Sequence, residues 1–251
     1  MNKRLAATVS INPERKVCSV GGDKGGVGKS FTSCVMAEFC LAKELEFVLA
    51  ECDRVNPDVG RIYRNSGVDV KFAYFSEDPR KRTKADTLFK AAIDSPLVIC
   101  NLPAQVHQPM KEWFLEDDLY ELAQEHNITF YHWYVTNGGY DSVKLFLKSL
   151  KELGPYMKHI FVRNWGLCDS WTHVDEDDEV QAAITEHHIP VIDLPKFPYA
   201  ERNLIEEHQL TFTQALQHPK FDLVSRQRVY KFLQKSFTQI ESTGILSGEK
   251  P

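Results

Sequence analysis

No apolar stretch in the chain approaches the roughly 18 residues that a membrane-spanning helix needs. The longest runs, such as Leu97 to Cys100 and Val17 to Val20, are strand-sized. Met1 to Val9 holds Lys3 and Arg4 but no sustained apolar core behind them, so no secretory signal is expected and the protein is expected in the cytosol. Cysteine is sparse and unpatterned: Cys18, Cys34, Cys40, Cys52, Cys100 and Cys168 include no C-x-x-C pair and read as reduced core thiols. An excess of positive charge is missing too. The formal net charge is −5, whereas proteins that coat nucleic acid are more often basic, so overall charge does not indicate DNA binding; a local basic patch stays compatible with it. There is no fixed-period repeat, no low-complexity tract and no Gly/Ser linker. A single domain over 1–251 is expected, with a core at about 15–241 between a flexible N-terminal arm and a flexible C-terminal tail.

What the sequence does contain is an alternation of short apolar runs and longer helical stretches, which signals βαβ units. Strands are expected at Lys16–Val20, Phe47–Glu51, Val68–Phe72, Leu97–Asn101, Ile128–Val135, His159–Arg163 and Val191–Leu194. Helices are expected at Lys29–Lys43, Thr83–Ile93, Met110–Glu125, Ser142–Leu153, Glu179–His187, Ala200–Glu207 and Leu223–Ile240. The fold class is therefore α/β, a mainly parallel central sheet with helices on both faces. Ser76 to Lys84 reads as a charged surface loop. In the last helix Val229, Leu233, Phe237 and Ile240 recur at helical spacing, which is expected to pack that helix on the sheet. The tail from Ser242 onward is expected to fray, and its only apolar residues, Ile245 and Leu246, are too few for a membrane anchor.

The strongest signal is Gly21-Gly22-Asp23-Lys24-Gly25-Gly26-Val27-Gly28-Lys29-Ser30, placed after the apolar run Val17–Val20 and at the start of a helix. That is the strand–loop–helix context of a phosphate-binding loop. Glycines let backbone N–H groups converge on phosphate oxygens, and the helix N-terminus adds partial positive charge. Lys29 neutralises the terminal phosphates and Ser30 offers a hydroxyl to Mg2+. Asp23 replaces the first glycine of the general motif. Its carboxylate would be repelled by phosphate, so it is expected to turn outward or bridge to a neighbour.

Lys24 to Ser30 resembles the deviant Walker A loop of ParA/MinD-type ATPases, K-G-G-x-G-K-[ST], at every fixed position. The resemblance implies a P-loop NTPase fold, ATP and Mg2+ as cofactors, and an ATP-dependent homodimer. It gives Lys24 the part of a lysine that reaches a partner's nucleotide and puts the loop from Lys24 to Ser30 around the phosphates: Gly25, Gly26, Val27, Gly28 and Lys29. Lys24, Lys29 and Asp53 become the catalytic set. Phe31 falls among the nucleotide contacts, although many relatives carry a threonine there. Asp53, 24 residues past Lys29 at the end of an apolar strand, looks like the aspartate that positions the attacking water and serves Mg2+. An aspartate opening the turn before Asn56-Pro57 fits the same residues.

Leu97 to Ala104 resembles a Walker B strand and its switch, with Asn101 where relatives carry aspartate. As a metal-site residue Asn101 brings no charge, so slow hydrolysis is expected, and an aspartate at that position is expected to tighten Mg2+. Gln105 and His107 follow in the expected switch, and an ordinary surface residue fits His107 equally well. Asn164, ending a later strand, is the expected adenine reader, and the loop carrying Pro195 is expected to cover the base. By resemblance the protein is a slowly hydrolysing ATP switch in partition, stability or conjugative mobilisation of plasmid or DNA cargo, nearest the StbB/TraL-like accessory group, with a partner protein that stimulates or reads it. Alternatives are an ATP-bound scaffold without turnover and a MinD-like membrane-positioning ATPase. The histidines at 173, 187 and 188 lack regular ligand spacing, and no metal centre is expected there.

Overall fold

The computed structural model describes residues 13–115 and 118–246. The expected N-terminal arm and tail residues 247–251 lie outside the described residues. Seven strands form one sheet: β1 (Arg15–Gly21), β2 (Val48–Glu51), β3 (Asp69–Phe72), β4 (Leu97–Asn101), β5 (Ile128–Thr136), β6 (Lys158–Asn164) and β7 (Val191–Leu194). Their spatial order is β3-β2-β4-β1-β5-β6-β7 and every pairing is parallel. The parallel α/β architecture expected from the alternating pattern is the one observed.

The helices are α1 (Lys29–Ala42), α2 (Asp58–Tyr63), α3 (Asp86–Asp94), α4 (His107–Leu115), α5 (Leu119–Glu125) and α6 (Tyr140–Leu153) in the first part of the chain. α7 (Thr172–Asp175), α8 (Asp178–Glu186), α9 (Tyr199–His208), α10 (Phe212–Ala215) and α11 (Leu223–Ser242) follow. Side-chain alternation along the strands builds two cores. On one face Cys18, Val20, Leu49, Ile99, Trp133 and Val162 pack with α1 and α11. On the other Val17, Ala50, Val98, Cys100 and Phe130 pack with α3 and α4, and Tyr134 and Phe161 continue that face beneath α6. The central strands are apolar on both sides because both faces are covered.

The apolar stripe of α11 does what its spacing predicts. Val229, Phe232, Leu233, Phe237 and Ile240 are buried, Phe237 meets Phe39 of α1 edge-on at 5.4 Å, and Gln239 accepts the Asp193 N–H of β7 at 2.8 Å. Three expectations need correction. The long helix over Met110–Glu125 is two helices, because Asp118 adopts φ 51°, a left-handed conformation that cannot continue a right-handed helix. The charged loop holds a 3₁₀ turn at Pro79–Lys84, entered through Asp78, whose carboxylate accepts the Arg80 N–H at 3.1 Å. The start of the tail is anchored, not frayed: Leu246 is buried and the Ile245 carbonyl accepts Lys16 Nζ at 2.8 Å. Among the described residues no helix is long and apolar enough to cross a membrane.

Candidate nucleotide site

β1, at the centre of the sheet, delivers the glycine-rich loop to the carboxyl edge, where open parallel sheets place ligands. The loop's path depends on glycine. Gly22 has φ 146° and a β-carbon there would lie 2.6 Å from the Val135 carbonyl oxygen. Gly28, the residue capping α1, has φ 101°, and its β-carbon would lie 2.3 Å from Nδ2 of Asn164. No side chain caps α1, and its first turn holds no acidic residue, so its leading N–H groups and partial positive charge face the loop.

Lys29 lies buried at the head of this helix, its Nζ donating to the Lys24 carbonyl at 3.0 Å. Burial lowers its pKa, and the charges of Asp53 and Asp23 act against that. The Asp23 carboxylate stands beside His107, Oδ2 4.0 Å from its Nδ1. His107 is buried, which decides against its being an ordinary surface residue. Its Nε2 is 3.2 Å from Glu152 of α6, which also accepts Lys111 Nζ at 3.0 Å. Lys111 and His107 together hold the Glu152 carboxyl down at about 2. Lys24 reaches Asp141 at 3.4 Å, with both side chains substantially exposed.

At the end of β2, Asp53 accepts the Val55 and Asn56 N–H groups through Oδ1 at 3.0 and 2.9 Å. The turn-opening reading of this residue is thus realised, and its charge still bears on Lys29. The residue that sequence reading passed over is Glu51. Its side chain is buried at the end of β2, where Oε1 accepts the Asp53 N–H at 2.9 Å and Asn101 Nδ2 at 2.8 Å, and Oε2 accepts the Gly60 N–H at 2.9 Å. Burial raises its pKa, and these three donors pull it back. The signal available was an acid closing a wholly buried strand two residues before Asp53.

Asn101 is buried and its amide is engaged on both sides, accepting Ser33 Oγ at 3.0 Å and donating to Glu51. An aspartate at 101 would face the Glu51 carboxylate across that 2.8 Å contact, a like-charge pair in a buried site that opposes its ionisation. Directly behind these two residues Cys52 and Cys100 meet as free thiols, Sγ to Sγ 3.3 Å.

Phe31 is partly buried, and its ring packs against Phe197, Phe212 and Phe232 at centroid distances of 5.8, 5.6 and 5.5 Å, on the core under the loop. Asn164 is buried, with Nδ2 donating to the Val27 carbonyl at 2.8 Å and Oδ1 accepting the Gly166 N–H at 2.9 Å. Here it braces the glycine-rich loop. Pro195 borders an open groove of about 540 Å3, lined also by Trp165, Asp169, Lys196 and Lys235. Ser30, Lys29, Asp53 and the loop glycines converge at one edge; Pro195 stands to the side, past the end of β7.

The residues fit a Mg2+–nucleotide. The donor set, a Ser30 hydroxyl and an Asp53 carboxylate, is hard oxygen, as Mg2+ requires, and the loop is a cradle that β-carbons at Gly22 and Gly28 would spoil. Lys29 and the α1 N-terminus supply the charge to hold phosphate.

No protein-family model matches the sequence, and no protein of curated function does. Solved structures match in fold. The MinD cell division protein of Aquifex aeolicus aligns over 94% of this chain and 100% of its own, at 12% identity and TM-score 0.54. A protein of Borrelia burgdorferi described as a plasmid partition protein, bound to AMPPNP, aligns over 92% and 100% at 12% identity and TM-score 0.53. The septum site-determining protein MinD of Pyrococcus horikoshii, complexed with Mg-ADP, aligns over 94% and 100% at 14% identity and TM-score 0.50. The fold is that of these proteins.

Proposed function

We propose that the chain is an ATP-binding, slowly hydrolysing molecular switch that closes into a homodimer around ATP and serves partition or positioning of cargo. One observation carries the reading: a buried lysine, Lys29, at the uncapped start of a helix, beneath a glycine loop at the middle of a parallel sheet. Mg2+, held by Ser30 and Asp53, supplies charge neutralisation between the phosphates when bound. Asp53 orients the attacking water, and Lys24, held by an exposed pair with Asp141, swings toward a second subunit's nucleotide. The Borrelia and Pyrococcus proteins carry an ATP analogue and Mg-ADP at the same kind of fold, which supports the choice of ligand. Plasmid or other DNA cargo, mobilised by way of a partner protein that reads the switch, is the use we favour.

The test is calorimetry with Mg-ATP. Wild type binds, and Lys29→Ala, folded by circular dichroism, does not. Equal affinity in the two proteins removes the assignment. A second reading, an ATP-bound scaffold without turnover, draws on the uncharged Asn101 at the end of β4. Wild type and Asp53→Ala showing the same absence of hydrolysis selects it.

A further inference from the structure

β4 ends in an amide where the resemblance anticipates a carboxylate, yet a carboxylate stands one strand away. Asn101 and Glu51 are register partners across β4 and β2, and the 2.8 Å bond from Nδ2 to Oε1 joins them. Two further facts give Glu51 a purpose beyond charge. Its two oxygens hold the N–H groups of Asp53 and Gly60, so the loop that displays Asp53 is gripped at its beginning and at its re-entry into α2. Gly60 is also tightly placed: a β-carbon there would lie 2.9 Å from Cβ of Glu51. The grip continues inward, because Asn101 accepts Ser33 Oγ from the second turn of α1, the helix that Lys29 opens.

We propose that Glu51 is the positioning residue of this site: it carries the buried negative charge that β4 lacks and, through Asn101 and Ser33, ties the loop bearing Asp53 to the phosphate-loop helix. The inference rests on the ATPase reading above. The geometry fits an ionised side chain, since all three hydrogen bonds to Glu51 are donated by N–H groups. A charged acceptor makes these bonds stronger than neutral ones. Removing that charge leaves one of the backbone donors facing an amide N–H and loosens the loop at one end. Glu51 itself does not touch the nucleotide; it acts through Asp53.

The experiment compares wild type, Glu51→Gln, Asn101→Asp and the exchanged double variant E51Q/N101D. Each is measured by single-turnover ATP hydrolysis, by calorimetry with Mg-ATP, and by hydrogen exchange at the Asp53 and Gly60 amides without nucleotide. Losses of supporting contacts around a metal site typically cost about 10–100-fold. Glu51→Gln is expected to keep ATP affinity within about threefold, a factor under 1 kcal/mol, and to lose hydrolysis by that 10–100-fold. Exchange at the two amides rises. The double variant returns a carboxylate to β4 but leaves one backbone donor facing the amide at 51, so exchange at that donor stays raised as in Glu51→Gln. Wild-type hydrolysis and exchange in Glu51→Gln overturn the proposal, as does wild-type protection of both amides in the double variant. Should wild type fail to bind ATP, the ATPase reading falls on that result alone. The exchange data then still decide whether Glu51 sets the loop: unchanged protection in Glu51→Gln overturns it.

Discussion

The side-chain amide of Asn164 occupies the space into which a β-carbon on Gly28 would project. The two would come within 2.3 Å, and the same amide nitrogen donates to the Val27 carbonyl at 2.8 Å. Glycine at 28 is therefore required twice, by its φ of 101° and by Asn164. Gly28→Ala is expected to lose more than tenfold in nucleotide affinity and about 1–3 kcal/mol of stability. Calorimetry and urea unfolding measure the two. An alanine variant that binds ATP as wild type does shows that the loop holds phosphate in some other shape.

The Lys24 ammonium pairs with the exposed carboxylate of Asp141, at 3.4 Å, a pair worth little to a monomer. Lys24→Ala should therefore melt within about 0.5 kcal/mol of wild type and still bind ATP. If the lysine acts across a subunit boundary, the variant loses ATP-dependent dimerisation. Sedimentation with a non-hydrolysable analogue is the measurement, and a normal nucleotide-dependent dimer from Lys24→Ala removes the role in trans.

Phe31 joins α1 to the aromatic cluster of Phe197, Phe212 and Phe232. Replacing it with the threonine that the resemblance anticipates exchanges a packed ring for a hydroxyl. Phe31→Thr is expected to cost about 2–4 kcal/mol, toward the lower part of the range for large-to-small core changes because the ring is half-buried. No gain in ATP affinity should accompany it. Tighter binding without loss of stability would mean that the side chain does reach the nucleotide.

Beneath the loop His132 and His159 are buried with ring centroids 5.2 Å apart, His132 bonded to Ser19 Oγ at 2.9 Å and His159 to Ser149 Oγ at 3.0 Å. Burial drives both pKa values down, His132 well below its ordinary value and His159 to about 4. The neutral rings are the folded forms. As pH falls below about 6.5 the unfolded chain takes up protons that the folded chain refuses, so stability falls with pH until the folded values are reached. Each histidine adds a slope of up to ~1.4 kcal/mol per pH unit. Urea midpoints between pH 7 and 4.5 should decline less steeply in His159→Gln than in wild type. Parallel curves would show that His159 is not the source.

Much of the architecture is written in local patterns. Seven apolar runs and the helices between them follow from periodicity, and the phosphate loop from its glycines and Lys29. The breaks at Asp118 and in the short α2, α7 and α10 are not legible that way, because a single backbone angle or a four- to six-residue turn leaves no periodic trace.

The sequence alone determined the parallel α/β class, the strand–loop–helix at Gly21 to Ser30 and the uncharged residue at 101, since each is a matter of residue type and spacing. Only the tertiary structure decided where charge and packing went. Glu51 and Asn101 lie fifty positions apart and become partners because β2 and β4 run side by side in register. His107 is buried because α4 turns it between Asp23 and Glu152, and Phe31 packs on the core because α10 and α11 close over α1. Burial and electrostatics depend on what approaches from distant parts of the chain, and local spacing does not encode that.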